Sequence, residues 1–198
     1  LGTPTTGAVA GGGLIKNGAG TLTLTAANQY TGPTVVNAGK LAITTEPPGM
    51  GASPVAASAG LSVKLIAMGS QLTASSLTLG TSMLDLDLGG FGNPSIAPLR
   101  ASGNLAVNGT ITVNIADALP QIGQFPLIEY TTRSGSGSFV LGTLPTGVQA
   151  TLVENTLAKT VDLNITSVGL PRWDGQVSAD WDIDTTTNWV ELSTGLPT

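Results

Sequence analysis

Along most of the chain apolar and polar residues alternate with a period of two. Thr21-Leu22-Thr23-Leu24-Thr25, Leu84-Asp85-Leu86-Asp87-Leu88, Thr110-Ile111-Thr112-Val113-Asn114-Ile115 and Val161-Asp162-Leu163-Asn164-Ile165 put every second side chain on one face, the spacing of a β-strand with one buried side. Shorter runs at Val35-Val36, Leu41-Ala42-Ile43, Leu61-Ser62-Val63, Leu77-Thr78-Leu79 and Phe125-Pro126-Leu127-Ile128 predict further strands. Turn residues separate them: Asn17-Gly18, Ala38-Gly39, Gly89-Gly90, Asn108-Gly109 and Pro145-Thr146-Gly147. Helical periodicity is missing because Gly or Pro interrupts the candidate windows. The Ala-rich stretch 52–64 is broken by Pro54 and Gly60 and reads as loop and strand.

Many short, evenly spaced strands fit a sandwich, a barrel or a solenoid. The inward candidates are mostly Leu, Val and Ile with few aromatics, which suits a narrow, layered core where like side chains stack. Abundant Thr and Asn suit outward positions and turns, where successive coils can form hydrogen-bonded ladders. No long excursion of the kind a Greek-key crossover needs interrupts the pattern. The reading is an all-β β-solenoid, with a β-sandwich as the alternative.

One segment adds a motif. Gly12-Gly13-Leu14-Ile15-Lys16-Asn17-Gly18-Ala19-Gly20-Thr21-Leu22-Thr23-Leu24 continues through Asn28-Gln29-Tyr30-Thr31-Gly32-Pro33-Thr34-Val35-Val36-Asn37-Ala38-Gly39-Lys40-Leu41. It resembles the autotransporter-associated β-strand repeat, or passenger-associated transport repeat. The resemblance implies a right-handed parallel β-helix, exported to the outer surface of a Gram-negative-type bacterium or beyond. Beside it, Gly18, Gly20, Gly32 and Gly39 read as sharp turns between faces that use glycine's freedom at positive φ. Leu22, Leu24, Val36 and Leu41 read as inward, Asn28 as a turn cap through its own side chain, and Tyr30 as a cover for the core edge with its hydroxyl in water. Residues 83–168 fit the body of such passenger proteins more loosely.

After Gly169 the composition shifts. Pro171-Arg172-Trp173-Asp174-Gly175, Trp181-Asp182 and Asn188-Trp189 resemble the W-x-G, W-D and N-W segment that opens many modules of large bacterial surface proteins. The expected organisation is a loose N-terminal segment 1–11, a solenoid 12–170, and a Trp-containing tail or start of a next module at 171–198. At ~18–25 residues per coil, residues 12–168 would give about seven coils and a rod of ~35 Å, one strand spacing per coil.

Composition narrows the function. The 198 residues carry 7 basic and 12 acidic side chains, 10% charged in all, against about 25% in ordinary domains. Seven scattered cations cannot neutralise a phosphate backbone, which argues against nucleic acid as a partner. Without His or Cys there is no usual zinc site, Cys nucleophile, Ser-His-Asp triad or disulfide, and no cofactor is implied. No apolar run approaches the ~20 residues of a membrane helix, so no membrane insertion by this segment is expected. Leu1-Gly2-Thr3-Pro4 reads like the middle of a longer protein.

Candidate chemistry is sparse. Asp85 with Asp87, and Asp180, Asp182 and Asp184, have the pairing that glycoside hydrolysis or calcium binding uses, but an alternating strand puts acids outward, and solvated faces are the expectation. Lys16, Lys40, Lys64, Arg100, Arg133, Lys159 and Arg172 are isolated in sequence, so catalysis is not expected. Trp173, Trp181 and Trp189 could stack on sugars, but a small satellite core is preferred. Asn108-Gly109-Thr110 and Asn164-Ile165-Thr166 match the glycan-acceptor triplet at Asn108 and Asn164. No cap is evident at either end of the solenoid, and bare strand edges invite head-to-tail stacking into a filament. The expected function is a stalk, surface-layer or fibre module whose partners are copies of itself, adjacent modules or surface glycans. The alternatives are a carbohydrate-binding adhesin and a polysaccharide-cleaving β-helix enzyme.

Overall fold

The computed structural model describes residues 12–24, 30–45, 53–116, 120–169, 171–179 and 188–191. Among the described residues the only regular elements are β-strands. β1 (Leu14–Lys16) and β2 (Thr21–Leu24) make a first coil, β3 (Thr34–Val36) and β4 (Lys40–Thr44) a second, and β5 (Val55–Ala57) and β6 (Gly60–Lys64) a third. β7 (Leu72–Ala74), β8 (Leu77–Leu79) and β9 (Ser82–Asp87) form the fourth, β10 (Leu99–Val107) and β11 (Thr110–Ala116) the fifth, and β12 (Gly123–Ser134) and β13 (Ser138–Leu141) the sixth. Each strand pairs in parallel with its counterpart one coil on. The result is a parallel β-helix of two stacked sheets, not a sandwich of antiparallel ones.

Alternation on each strand becomes a row through the stack. In the second sheet Leu22, Leu41, Leu61, Leu84, Val113 and Leu141 lie in register, and Leu41, Leu61, Leu84 and Val113 are essentially inaccessible to solvent. A second row runs Leu24, Ile43, Val63, Leu86 and Ile115. Burying each such side chain contributes about 1.5–3 kcal/mol, so the rows of stacked aliphatics hold the coils together.

Six coils are found among the described residues where about seven were expected from the strand spacing. The coil lengthens partway: Leu14 pairs with Thr34, 20 residues on, but Leu77 pairs with Leu105, 28 residues on. Most of the added residues lie in 88–98, the link from β9 to β10, against 65–71 between β6 and β7, and one more lies in β10. Its first half pairs with β7 and its second half with β8, and its register on β12 shifts between Ala101 and Asn104. A bulge of this kind bends the strand. Six coils give five spacings, so the parallel stack rises about 24 Å.

The C-terminal end departs from the expectation of a bare rim. β14 (Val148–Asn155) and β15 (Thr160–Val168) form an antiparallel hairpin, and β15 pairs antiparallel with β12 from Gly123↔Ile165 to Glu129↔Thr160. The Val161–Ile165 alternation thus belongs to a closing hairpin rather than a further coil. Leu144, Val148, Ala150, Leu152 and Val168 pack against the core. The second sheet ends at β13. Separately, β16 (Pro171–Trp173) and β17 (Trp189–Glu191) form a two-stranded antiparallel sheet.

Candidate functional site

The repeat motif occupies the first two coils, and its glycines have different reasons to be glycine. Gly39 has φ +68°, and a Cβ there would lie 2.3 Å from Gly20 O and 2.5 Å from Gly18 O. Gly32 has no positive φ; a Cβ on it would stand 2.4 Å from Gly12 O, so it is glycine to let one coil approach the next. Gly18 and Gly20 have neither a positive φ nor any atom within 4 Å of an added Cβ. The expected left-handed turn therefore holds for Gly39 and not for Gly18, Gly20 or Gly32. Val36 and Leu41 are fully buried, while Leu22 and Leu24, in the first coil, are half-buried against the core. Asn28 lies outside the described residues.

Lys16, the motif's cation, is buried on an inward row. Its ammonium donates to Gly18 O and, at 3.1 Å, to Ala38 O, tying the turns of two successive coils. Outside that turn Asn37 Nδ2 donates to Asn17 Oδ1 at 2.8 Å. Tyr30 packs half-buried against the core as expected, but its hydroxyl is not simply in water: it shares a 2.9 Å hydrogen bond with Oγ1 of the buried Thr34.

Cations isolated in sequence become paired in space. On the outer face of the second sheet Lys40 meets Asp85, and Lys64 stands opposite Asp87 in register at 2.7 Å. Asn114 Nδ2 donates to Asp85 Oδ1 at 2.7 Å, and the Gly89 amide to Asp87 Oδ1 at 2.9 Å. In the first sheet Arg100 pairs with Glu129, which also accepts from Gln71 Nε2 at 3.2 Å. Asp85 and Asp87 face outward as expected, but as members of cross-coil ion pairs; half-exposed pairs of this kind each contribute up to about 1 kcal/mol. Beside them a groove of about 360 Å³ opens where Gly60 places no side chain between Lys40 and Met83; Thr81, Thr110 and Thr112 also line it.

At the C-terminal end of the core Arg133 Nη2 donates to Glu154 Oε1 at 3.0 Å and to Gly137 O at 2.9 Å. Burial, and then the Glu154 carboxylate, hold the nearby Tyr130 phenol above the usual tyrosine range. The sign follows: this contribution to stability is fully present below the ordinary tyrosine range and is lost as pH rises from there through the raised folded-state value.

In the C-terminal sheet Trp173 faces Trp189 across β16 and β17. Gly175, at φ +63°, lies under the Trp173 ring, and a Cβ on it would come 2.6 Å from Cη2. That packing is why Trp173 is followed two residues on by glycine. Asn188 was not singled out from sequence beyond its place before Trp189, yet it is fully buried. Its Oδ1 accepts from the Val177 and Ser178 amides, each at 2.9 Å, and its Nδ2 donates to Ser178 Oγ at 2.9 Å. Replacing Asn188 with Ala removes the acceptor of two part-buried amides, and we expect a loss of about 1 kcal/mol, read as faster hydrogen exchange at Val177 and Ser178 with the β-helix amides unchanged. Trp181, Asp180, Asp182 and Asp184 lie outside the described residues. Of the two acceptor asparagines, Asn108 is exposed in the β10–β11 turn and Asn164 is half-buried within β15.

The passenger-associated-transport-repeat family model matches residues 14–43, from the start of β1 into β4. No curated protein and no solved structure matches this chain. Residues 14–43 are thus similar to a passenger-associated transport repeat, whose family is a structural repeat.

Proposed function

We propose that this chain is a structural segment of an exported protein at the surface of a Gram-negative-type bacterium, where stacked coils act as a rigid spacer. The observation that carries the reading is continuity: the rows that begin in the matched repeat with Leu22 and Leu24 run unbroken into Val113 and Ile115 of β11. Inter-coil backbone ladders and buried aliphatic rows resist bending, which is what a spacer needs. The neighbours proposed are adjacent modules of the same polypeptide. Head-to-tail stacking of copies into a fibre needs an open C-terminal rim, and the β14–β15 hairpin stands against it.

The test is protease shaving of intact cells that make the full-length protein with an epitope in the β14–β15 turn. The reading expects the epitope to be lost from intact cells; an epitope protected until the outer membrane is breached would overturn it. A second reading, contact with surface glycans through Trp173, Trp181 and Trp189, is favoured by the cross-strand placement of Trp173 and Trp189. A glycan array repeated with Trp189→Ala separates the two.

A further inference from the structure

The inward rows of the first sheet are apolar along most of their length and charged at their ends. One row runs Leu14, Thr34, Val55, Leu77, Leu105 and Arg133; its neighbour runs Lys16, Val36, Ala57, Leu79 and Val107. Arg133 thus stands in the last coil where another aliphatic residue would continue the core. On β14, Leu152 and Glu154 oppose the inward Leu163 and Val161 of β15, which puts the exposed Glu154 at the rim of that face, within reach of Arg133. The guanidinium reaches it there and also holds Gly137 O, joining β12, the β12–β13 turn and β14. Arg133 Nε is buried without a partner. The pair is part-exposed and contributes at most about 1 kcal/mol, whereas an aliphatic residue would continue the row without stranding a buried Nε.

The alternative fate of this end explains the charge. β13 is the last strand of the second sheet, and its Phe139 and Leu141 are only partly buried. A parallel edge with apolar residues facing the core is a template for another coil, and inward charges are one way proteins blunt such an edge. The first coil of a second copy has the matching surface: β2 runs parallel in the same sheet and its Leu22 and Leu24 are half-buried.

We propose that the Arg133–Glu154 pair is a stop, which pins the β14–β15 hairpin over the end of the core and prevents β13 from accepting the first coil of a second copy of this chain. The inference does not depend on where the protein is displayed. It is tested by sedimentation velocity on the chain and on Arg133→Leu/Glu154→Leu, which removes both charges together. The proposal expects a single slow species for the unaltered chain, and for the double variant association at a tenfold or more lower concentration with strand circular dichroism retained. Adding Leu22→Asp should reverse that association. A folded double variant that sediments like the unaltered chain, an unaltered chain that itself associates, or association that survives Leu22→Asp would each overturn it. Should the double variant not fold, Glu154→Gln decides: amide exchange in β14 and β15 should rise at least tenfold relative to β9 and β11, and unchanged exchange there overturns the proposal.

Discussion

Leu84→Ala should destabilise the fold by about 2–5 kcal/mol, at the upper end of that range. Leu84 is fully buried in the middle of its row, with Leu61 on one side and Val113 on the other. Both neighbours are fixed by continuous parallel ladders, so the coils cannot close over the missing methyl groups and the cavity persists. Leu22→Ala, in the same row, is the internal control. Leu22 is half-buried in the first coil, with less area to lose and freer surroundings, and we expect about 1–2 kcal/mol, in line with the smaller area removed from water. Urea denaturation of the two variants checks this, with the midpoint moving much further for Leu84→Ala at similar slope. Equal costs at the two positions would mean that depth in the stack does not decide stability.

Which face of each strand is buried was legible in the sequence because it rests on period-two patterning: strands at Thr21–Leu24, Lys40–Thr44 and Thr110–Ala116 follow the alternation almost residue for residue. Patterning fixes which face is buried but says nothing of strand direction. Val161, Leu163 and Ile165 alternate just as the coil strands do, yet they run antiparallel to β12 and close the stack. The longer coils were hidden for a related reason: most of the added residues lie in the 88–98 link, and a bulge leaves no apolar signature beyond an irregular run. Lys16 and Asn188 were opaque because their partners are backbone carbonyls and amides, which every sequence contains. The ion pairs had a readable signal, since Lys64 and Asp87 are separated by the coil repeat itself. Arg133 and Glu154 lacked that regularity, because the hairpin interrupts the repeat between them.

Gly39→Ala should cost about 3 kcal/mol or more and act first on the N-terminal coils. A left-handed backbone costs a non-glycine residue about 1–2 kcal/mol by itself. At Gly39 the new Cβ would also stand 2.3 Å from Gly20 O and 2.5 Å from Gly18 O. Both obstacles are backbone, so relief requires the first coil to shift against the second. That shift pulls on the bonds from the Lys40 amide to Gly20 O and from the Asn37 amide to Lys16 O, and then on the Lys16 bond to Ala38 O. Gly18→Ala offers the contrast: its Cβ meets nothing and its φ is not left-handed, so it should be neutral or stabilise by up to about 1 kcal/mol through the unfolded chain. Because a solenoid coil touches only its neighbours, Gly39→Ala should speed amide exchange in β2 and β4 well before β9 and β11. If the two glycines tolerate alanine equally, close approach of successive coils is not what holds glycine at position 39, and the motif's spacing needs another cause.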